Sequence, residues 1–183
     1  LASSVVMITL HNSRGKVIGT GSGMIIGKDG YILTNFHVAG GARSFSVQLE
    51  NDETIYRTSE LIKYHPSLDL AILRIDRQQL SPMKLYSGKR ELCRGQRVVA
   101  IGSPLGLFNT VSDGIISGFR EINGVDMIQF TAPISGGSSG GALLNMYGEV
   151  IGISTAGFSK GQNLNLAVGY KDIIPFISNF TDK

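Results

Sequence analysis

The sequence predicts an all-β fold, either a barrel or a sandwich. Most of its apolar stretches are short and rich in β-branched residues, and Gly, Asn, Asp or Ser bound them. Turn signals recur along the whole chain, in keeping with the 24 glycines among its 183 residues. About a dozen short strands separated by such turns are typical of all-β barrels and sandwiches.

Strands are predicted in both halves of the chain from alternating or continuous apolar runs. In the first half they cover residues 5–10, 22–26, 31–34, 45–49, 60–64 and 70–75. In the second half they cover residues 97–101, 110–117, 127–131, 141–145, 150–155 and 165–168. If the strands form two units, the loop-rich residues 76–95 are the expected crossover.

Tight turns and one helix complete the expected elements. Hairpin turns are expected at three glycine-containing stretches, residues 27–30, 122–124 and 146–149, because glycine adopts positive φ angles readily. A helix is predicted over residues 171–181, with Asp172 as its cap and Pro175 in its first turn. Its apolar face consists of Ile173, Ile174, Ile177 and Phe180.

Composition excludes several classes of protein. The formal net charge is +3, and hydrophobic residues make up 42% of the chain, which excludes intrinsic disorder. The single cysteine, Cys93, rules out an intrachain disulfide. No apolar run is long enough to span a membrane. The sequence starts at Leu1 without a basic-then-apolar leader, so we expect it to be a domain excised from a longer chain.

Three polar residues stand where an apolar β-fold would not select them. Ser139 lies in a Gly-Gly-Ser-Ser-Gly-Gly stretch directly before an apolar strand. Glycines around a serine allow a tight turn that directs the N–H groups of Gly137 and Ser139 at one spot, as an oxyanion hole requires. His37 follows the third predicted strand and Asp69 precedes the sixth. Each residue alone has an ordinary structural explanation, so only the three residues together indicate a catalytic site.

The order of these residues separates the classes of serine hydrolase. The histidines of the chain are His11, His37 and His65. None follows Ser139, which excludes the α/β-hydrolase order. The subtilisin order would need Asp29 before His37, but Asp29 belongs to a predicted hairpin turn. His37, then Asp69, then Ser139 is the order of the chymotrypsin-like double barrel.

Several segments carry a resemblance to a known family. They are GSGMII at 21–26, GYILTNFHV at 30–38, LDLAIL at 68–73, AIGSPLGL at 100–107, TVSDGIIS at 110–117, GSSGGALLN at 137–145, GEVIGI at 148–153 and LAV at 166–168. With these segments in this order, the chain resembles the HtrA/Deg-type trypsin-like serine proteases. The resemblance implies two packed six-stranded antiparallel β-barrels with a short C-terminal helix.

The resemblance also implies how the chain is divided. Residues 1–183 would form a single trypsin-like protease domain. Its N-terminal barrel, residues 1–80, would carry the histidine and the aspartate, and its C-terminal barrel, residues 95–170, would carry the serine. The terminal helix at residues 171–181 would follow.

Catalytic roles carry over residue by residue. The family's base falls on His37, its orienting carboxylate on Asp69 and its nucleophile on Ser139. The oxyanion hole falls on Gly137, Ser138 and Ser139. These roles imply hydrolysis of peptide bonds through an acyl-enzyme intermediate, without a cofactor or a metal.

Substrate-binding residues are expected around the second barrel. They are Pro133, Ser154, Thr155, Ala156, Leu166 and Val168. Pro133, six residues before the nucleophile, would form the base of the S1 pocket, and residues 154–156 would pair with the substrate as an added strand. Since none of these residues is charged, we expect cleavage after small or medium aliphatic residues.

The sequence departs from the family pattern in two places. The family usually has proline and asparagine where this chain has Gly136 and Ser138, and proline where it has Ala142. Pancreatic relatives are activated when a new N-terminus pairs with an aspartate directly before the nucleophile, which Ser138 cannot do. We therefore expect a substrate or a partner to order this loop. The family usually carries a PDZ domain after the protease, whereas this sequence stops just past the predicted helix.

The resemblance implies a setting and partners. Expected substrates are unfolded or exposed polypeptide segments, in the context of protein quality control. The expected location is extracytoplasmic, in the periplasm, at the cell surface or secreted. A regulatory domain or partner outside this chain and a homotrimer are further expectations, whereas nucleic acid and membrane partners are not expected.

Other interpretations are weaker. The glycine-rich residues 19–23 fail the phosphate-binding and dinucleotide patterns. The basic residues between Lys84 and Arg97 match no known nucleic-acid module and indicate a solvated face, and Cys93 among them indicates a bystander thiol. The main alternative is a catalytically silent protease-like module that binds extended polypeptide segments.

Overall fold

The computed structural model describes residues 4–50, 52–103, 110–134, 137–155 and 165–181. Within these residues the chain forms two antiparallel β-sheets, one from each half, and two helices. No helix in this part of the chain is long and apolar enough to span a membrane. The arrangement confirms the expected all-β fold.

Strands of the first half pair into one antiparallel sheet. They are β1 (Val5–His11), β2 (Val17–Ile25), β3 (Tyr31–Thr34), β4 (Ser44–Leu49), β5 (Ile55–Thr58), β6 (Leu61–His65) and β7 (Leu70–Arg74). Their order across the sheet is β5-β4-β1-β2-β3-β7-β6. β5 and β6 lie at opposite edges, although only Ser59 and Glu60 separate them in sequence. Three Cα steps span at most about 11 Å, so the edges approach at this corner and the sheet curls into a half-barrel.

The prediction of six strands in this half missed β5, so the sheet has seven strands rather than six. β5 is a short edge strand whose side chains are exposed or half-buried, and Ile55 is 55% exposed. Its place is therefore set by pairing with β4, from Phe45↔Thr58 to Gln48↔Ile55, rather than by an apolar face.

Strands of the second half close into a six-stranded barrel, as predicted. They are β8 (Arg97–Gly102), β9 (Thr110–Ile122), β10 (Val125–Phe130), β11 (Ala142–Leu144), β12 (Val150–Thr155) and β13 (Asn165–Gly169). Their order is β10-β13-β12-β11-β8-β9, and β9 closes the barrel by pairing with β10. The predicted turn between β9 and β10 is confirmed, with φ of 52° at Asn123 and 80° at Gly124.

The C-terminal helix α2 (Tyr170–Ile177) confirms the predicted helix, but its start, its end and its buried face differ. It ends four residues before the predicted residue 181, so Phe180 lies beyond it. Gly169 is the N-cap, and Asp172 lies inside the first turn, where its carboxylate accepts the N–H of Asp126 at 3.1 Å. The predicted cap at Asp172 is therefore wrong, and Pro175 lies beyond the first turn. The buried residues are Tyr170, Ile173, Phe176 and Ile177, whereas the expected Ile174 is 38% exposed.

Apolar side chains form three clusters that explain how the two sheets are joined. One fills the first sheet around Phe45 and Val47, and another fills the barrel around Phe130 and Leu143. The third contains residues of both sheets and of α2. Because this cluster contains residues of both sheets, it holds the two sheets against each other.

Candidate active site

Asp69 directly precedes β7 and is the last residue of a short turn. Its N–H donates to the carbonyl of Pro66 at 3.1 Å, and its φ of 57° is in the left-handed region. The residue is 5% exposed. Asp tolerates this conformation better than most side chains, which suits a residue that must turn back from the strand.

The Asp69 carboxylate accepts three short hydrogen bonds. Oδ1 accepts the backbone N–H of His37 at 2.7 Å, and Oδ2 lies 2.6 Å from His37 Nδ1. Oδ2 also accepts the hydroxyl of Thr155 at 2.6 Å. Two of these bonds fix both the main chain and the ring of His37. The third comes from the second barrel, so the carboxylate lies at the junction of the two sheets.

His37 is placed by a one-turn helix that was not predicted, α1 (Phe36–Ala39). The turn follows Asn35, which is fully buried and donates its side-chain amide to the carbonyl of Asp69 at 3.0 Å. The imidazole is 36% exposed. With Nδ1 directed at the carboxylate, Nε2 is the ring nitrogen left to meet another group.

Ser139 lies in a glycine-bounded turn fixed by backbone hydrogen bonds. Gly137 and Gly140 have φ of 89° and 90°, values that side chains rarely adopt. The N–H of Gly140 donates to the carbonyl of Ser154 at 2.9 Å, and the N–H of Gly141 donates to that of Ser138 at 3.0 Å. The predicted tight turn around the serine is therefore present from residue 137 onward, whereas residue 136 lies outside the described part.

The first sheet contacts this turn directly. The N–H of Ser22, in β2, donates to the carbonyl of Ser139 at 2.8 Å. The carbonyl of Ser22 in turn accepts the hydroxyl of Thr34, three residues before His37, at 2.7 Å. A short chain of hydrogen bonds thus links the turn that carries Ser139 to the segment that carries His37.

A cavity of about 210 Å³ lies beside this turn. Its walls consist of Ala100, Ile101, Gly102, Thr110, Ser112, Pro133, Ile134, Ser138 and Ser154. These include the predicted substrate-binding residues Pro133 and Ser154, and none of them is ionisable. The carbonyl of Pro133 is held by the hydroxyl of Ser112 at 2.6 Å, which fixes one wall of the cavity.

Other predicted substrate-binding residues lie elsewhere. Leu166 and Val168 are 1% and 0% exposed and belong to the cluster between the two sheets, because β13 is covered on both faces. Neither is among the described walls of this cavity, and their role in substrate binding stays a prediction. The side chain of Thr155 bonds Asp69, and Ala156 lies outside the described residues.

The sequence predicted no catalytic role for three polar residues that contact this site. Asn35 and Thr34 belong to a motif that was noted for His37 alone, and Ser22 belongs to the Gly-Ser-Gly segment. Their contacts span 12 to 115 positions along the chain, so no local pattern could reveal them. Among the described residues, no group of three or more His, Cys, Asp or Glu is arranged to hold a metal ion.

A closed barrel packed on a curled sheet, with His, Asp and Ser supplied from both, defines the class of trypsin-like double-barrel folds. The family model for the trypsin-like peptidase domain matches residues 21–153. The chain therefore belongs to the trypsin-like peptidase domain family, and within it to the HtrA/Deg type, as the following relatives indicate.

Two curated relatives and one solved structure support this placement. A Pseudomonas fluorescens protein named "Probable periplasmic serine endoprotease DegP-like" is 44% identical over 144 residues, which cover 76% of this chain and 30% of the relative. Serine protease HTRA1A of Danio rerio is 34% identical over 100% of this chain and 40% of its own length. The crystal structure of the serine endoprotease from Yersinia pestis matches with a TM-score of 0.85 at 34% identity, over 97% of this chain and 62% of that one. The chain thus spans well under half the length of these curated relatives.

Proposed function

We propose that this chain is the catalytic domain of a serine endopeptidase, with His37 as base, Asp69 as its orienting carboxylate and Ser139 as nucleophile. The observation that carries the proposal is the pair of bonds from His37 to Asp69, at 2.7 and 2.6 Å. Holding both the main chain and Nδ1 fixes the ring orientation and directs Nε2 away from the carboxylate, as a general base requires.

The proposed reaction follows the order of proton transfers that this geometry favours. His37 Nε2 takes the hydroxyl proton of Ser139 as its oxygen attacks the peptide carbonyl. The imidazolium is stabilised by Asp69, and the same proton then passes to the leaving amine. The N–H groups of Gly137 and Ser139, with Ser138 between them, would hold the oxyanion. Water then hydrolyses the acyl-enzyme.

We assign the cavity beside Ser138 to the side chain on the acyl side of the scissile bond. Its volume of about 210 Å³ and its uncharged walls suit a small or medium aliphatic group. A lysine or arginine side chain would find no carboxylate among the walls formed by the described residues. Pro133, Ile134 and Ser154 are the residues expected to set this preference.

Unfolded or exposed polypeptide segments are the proposed substrates, and the proposed location is extracytoplasmic. The family membership supports both, since one relative is named as a periplasmic endoprotease and another as a serine protease. A homotrimer and a regulator outside this chain remain proposals that rest on the family resemblance alone.

Labelling with a fluorophosphonate, together with cleavage of casein, tests the nucleophile. We expect the wild-type chain to be labelled and to cleave casein, and Ser139→Ala to lose both. Ser87→Ala is the matched control, because Ser87 is an exposed serine outside the site. Casein cleavage that persists in Ser139→Ala would refute the assignment of the nucleophile.

A peptide library tests the assigned pocket separately. We expect cleavage sites dominated by alanine, valine or similar residues on the acyl side, and a profile dominated by lysine or arginine would contradict the assignment. The alternative of a silent binding module would be supported if the folded wild-type chain bound casein but resisted fluorophosphonate labelling.

A further inference from the structure

Ser22 makes contacts that go beyond those of an ordinary strand residue. It is fully buried in β2. Its hydroxyl donates to the carbonyl of Gly137 at 2.7 Å and accepts the N–H of Ser103 at 2.8 Å. Its own N–H donates to the carbonyl of Ser139 at 2.8 Å. One residue of the first sheet therefore holds the carbonyls on both sides of Ser138.

The two hydrogen bonds from Ser22 to the carbonyls of Gly137 and Ser139 lie on either side of one peptide group of the proposed oxyanion hole. The N–H of Ser139 belongs to the peptide between residues 138 and 139. The peptide before it carries the carbonyl of Gly137, and the peptide after it carries the carbonyl of Ser139. With both neighbours held by Ser22, the middle peptide has little freedom to rotate, although Gly137 with φ of 89° sits in a region that glycine leaves easily.

The contact between β2 and this turn is close enough to transmit that constraint. A Cβ atom on Gly140 would lie 2.0 Å from the carbonyl oxygen of Ser22 and 2.5 Å from the hydroxyl of Thr34. The turn therefore approaches the strand backbone directly, with no side chain between them. Because the Ser22 hydroxyl is buried, water cannot readily replace it.

We propose that Ser22 is a positioning residue that fixes the Ser139 amide in the geometry of an oxyanion hole. The inference rests on the proposed function of Ser139. If an N–H donor of the oxyanion hole is misplaced by a fraction of an ångström, the enzyme still binds substrate but stabilises the transition state less. Loss of the hydroxyl should therefore lower kcat and leave KM unchanged.

The test compares Ser22→Ala with the wild-type chain on a fluorogenic peptide that carries the main casein cleavage site. We expect kcat to fall by about 10- to 100-fold, below the roughly 100- to 1000-fold lost when an oxyanion donor is removed outright. Inhibition by a peptide boronic acid, whose adduct occupies the oxyanion hole, should weaken by a similar factor. A wild-type kcat, or a loss confined to KM, would overturn the proposal.

Ser46→Ala is the matched control. Ser46 is also a buried serine of the first sheet, and its hydroxyl bonds His11 Nε2 at 2.7 Å, away from the site. This variant should lose stability but keep the wild-type kcat, and an equal loss of kcat in both variants would reduce Ser22 to a packing role. If Ser22→Ala does not fold, Ser22→Cys retains the shape with a weaker donor and should still lower kcat.

Ser139→Ala, measured alongside, distinguishes a failure of the proposed function from a failure of the role proposed for Ser22. If Ser139→Ala retains turnover, the proposed function is wrong. If it abolishes turnover while Ser22→Ala or Ser22→Cys keeps the wild-type kcat, only the role of Ser22 is wrong.

Discussion

Replacing Thr155 by valine tests whether the second barrel anchors the carboxylate of Asp69. The change removes the hydroxyl that donates to Asp69 Oδ2 at 2.6 Å and keeps a β-branched side chain. Thr155 and Asp69 are 0% and 5% exposed, so water cannot take the place of the hydroxyl. Hydrogen bonds to a charged group contribute about 1.5–3 kcal/mol, and we expect a loss of about 2 kcal/mol in the free energy of unfolding.

This loss converts into a measurable shift. For a chain of this size, 1 kcal/mol moves Tm by about 2–4 °C, so Thr155→Val should lower Tm by about 4–8 °C in a calorimetric scan. Turnover should fall by at most about tenfold, because Asp69 keeps both bonds to His37. Asp69→Asn, in contrast, should cost about 10⁴-fold, as loss of this carboxylate does in other triads.

Two further variants make the experiment decisive. Thr58→Val makes the same chemical change at a half-buried position at the edge of the first sheet, where the hydroxyl accepts a solvent-exposed bond from the N–H of Glu60 at 3.0 Å. It should alter stability by about 0.5 kcal/mol or less. Thr155→Ser retains the hydroxyl and should recover most of the lost Tm. A Tm for Thr155→Val equal to that of the wild type would refute the claim that this hydroxyl holds the carboxylate.

Two other predictions follow from the geometry. Gly140→Ala should abolish casein cleavage, because the added Cβ would lie 2.0 Å from the carbonyl oxygen of Ser22. Gly124→Ala, at φ of 80° with open space around it, should lower the free energy of unfolding by only about 1–2 kcal/mol and keep activity. Equal activity of the two variants would contradict this prediction. Lys63→Met should lower the free energy of unfolding in urea by about 1 kcal/mol and leave kcat unchanged. Lys63 Nζ donates to the carbonyl of Phe176 at 2.9 Å and lies 4.6 Å from the centroid of the Phe176 ring. An unchanged urea midpoint would argue against this contact.

Elements determined by local sequence were largely predictable. The strands of the second barrel and the turn at Asn123 and Gly124 depend on alternation and on glycine conformations, which a short window contains. The edge strand β5 and the one-turn helix α1 were missed because partners distant in sequence hold them in place. The start of α2 was misjudged by one residue, which is within the usual uncertainty of helix ends, but its end was placed four residues too late.

The candidate site was predictable only in part, for a physical reason. His37, Asp69 and Ser139 could be singled out by residue type, order and family resemblance. Their supports could not, since Thr155 is 86 positions from Asp69 and Ser22 is 115 positions from Gly137. Such contacts exist only once the two sheets are packed. Where a strand is buried on both faces, as β13 is at Leu166, its continuous apolar run does not reveal from the sequence alone how much of the strand is covered.

The supports of the site cross the junction of the two sheets in both directions. Asp69, from the first sheet, is held by Thr155 of the barrel, whereas Ser139, from the barrel half, is held by Ser22 of the first sheet. Each half therefore adds a support to the reactive group of the other. Packing of the two sheets and assembly of the proposed active site are one event, so a substitution that loosens the junction should reduce turnover before it unfolds either sheet.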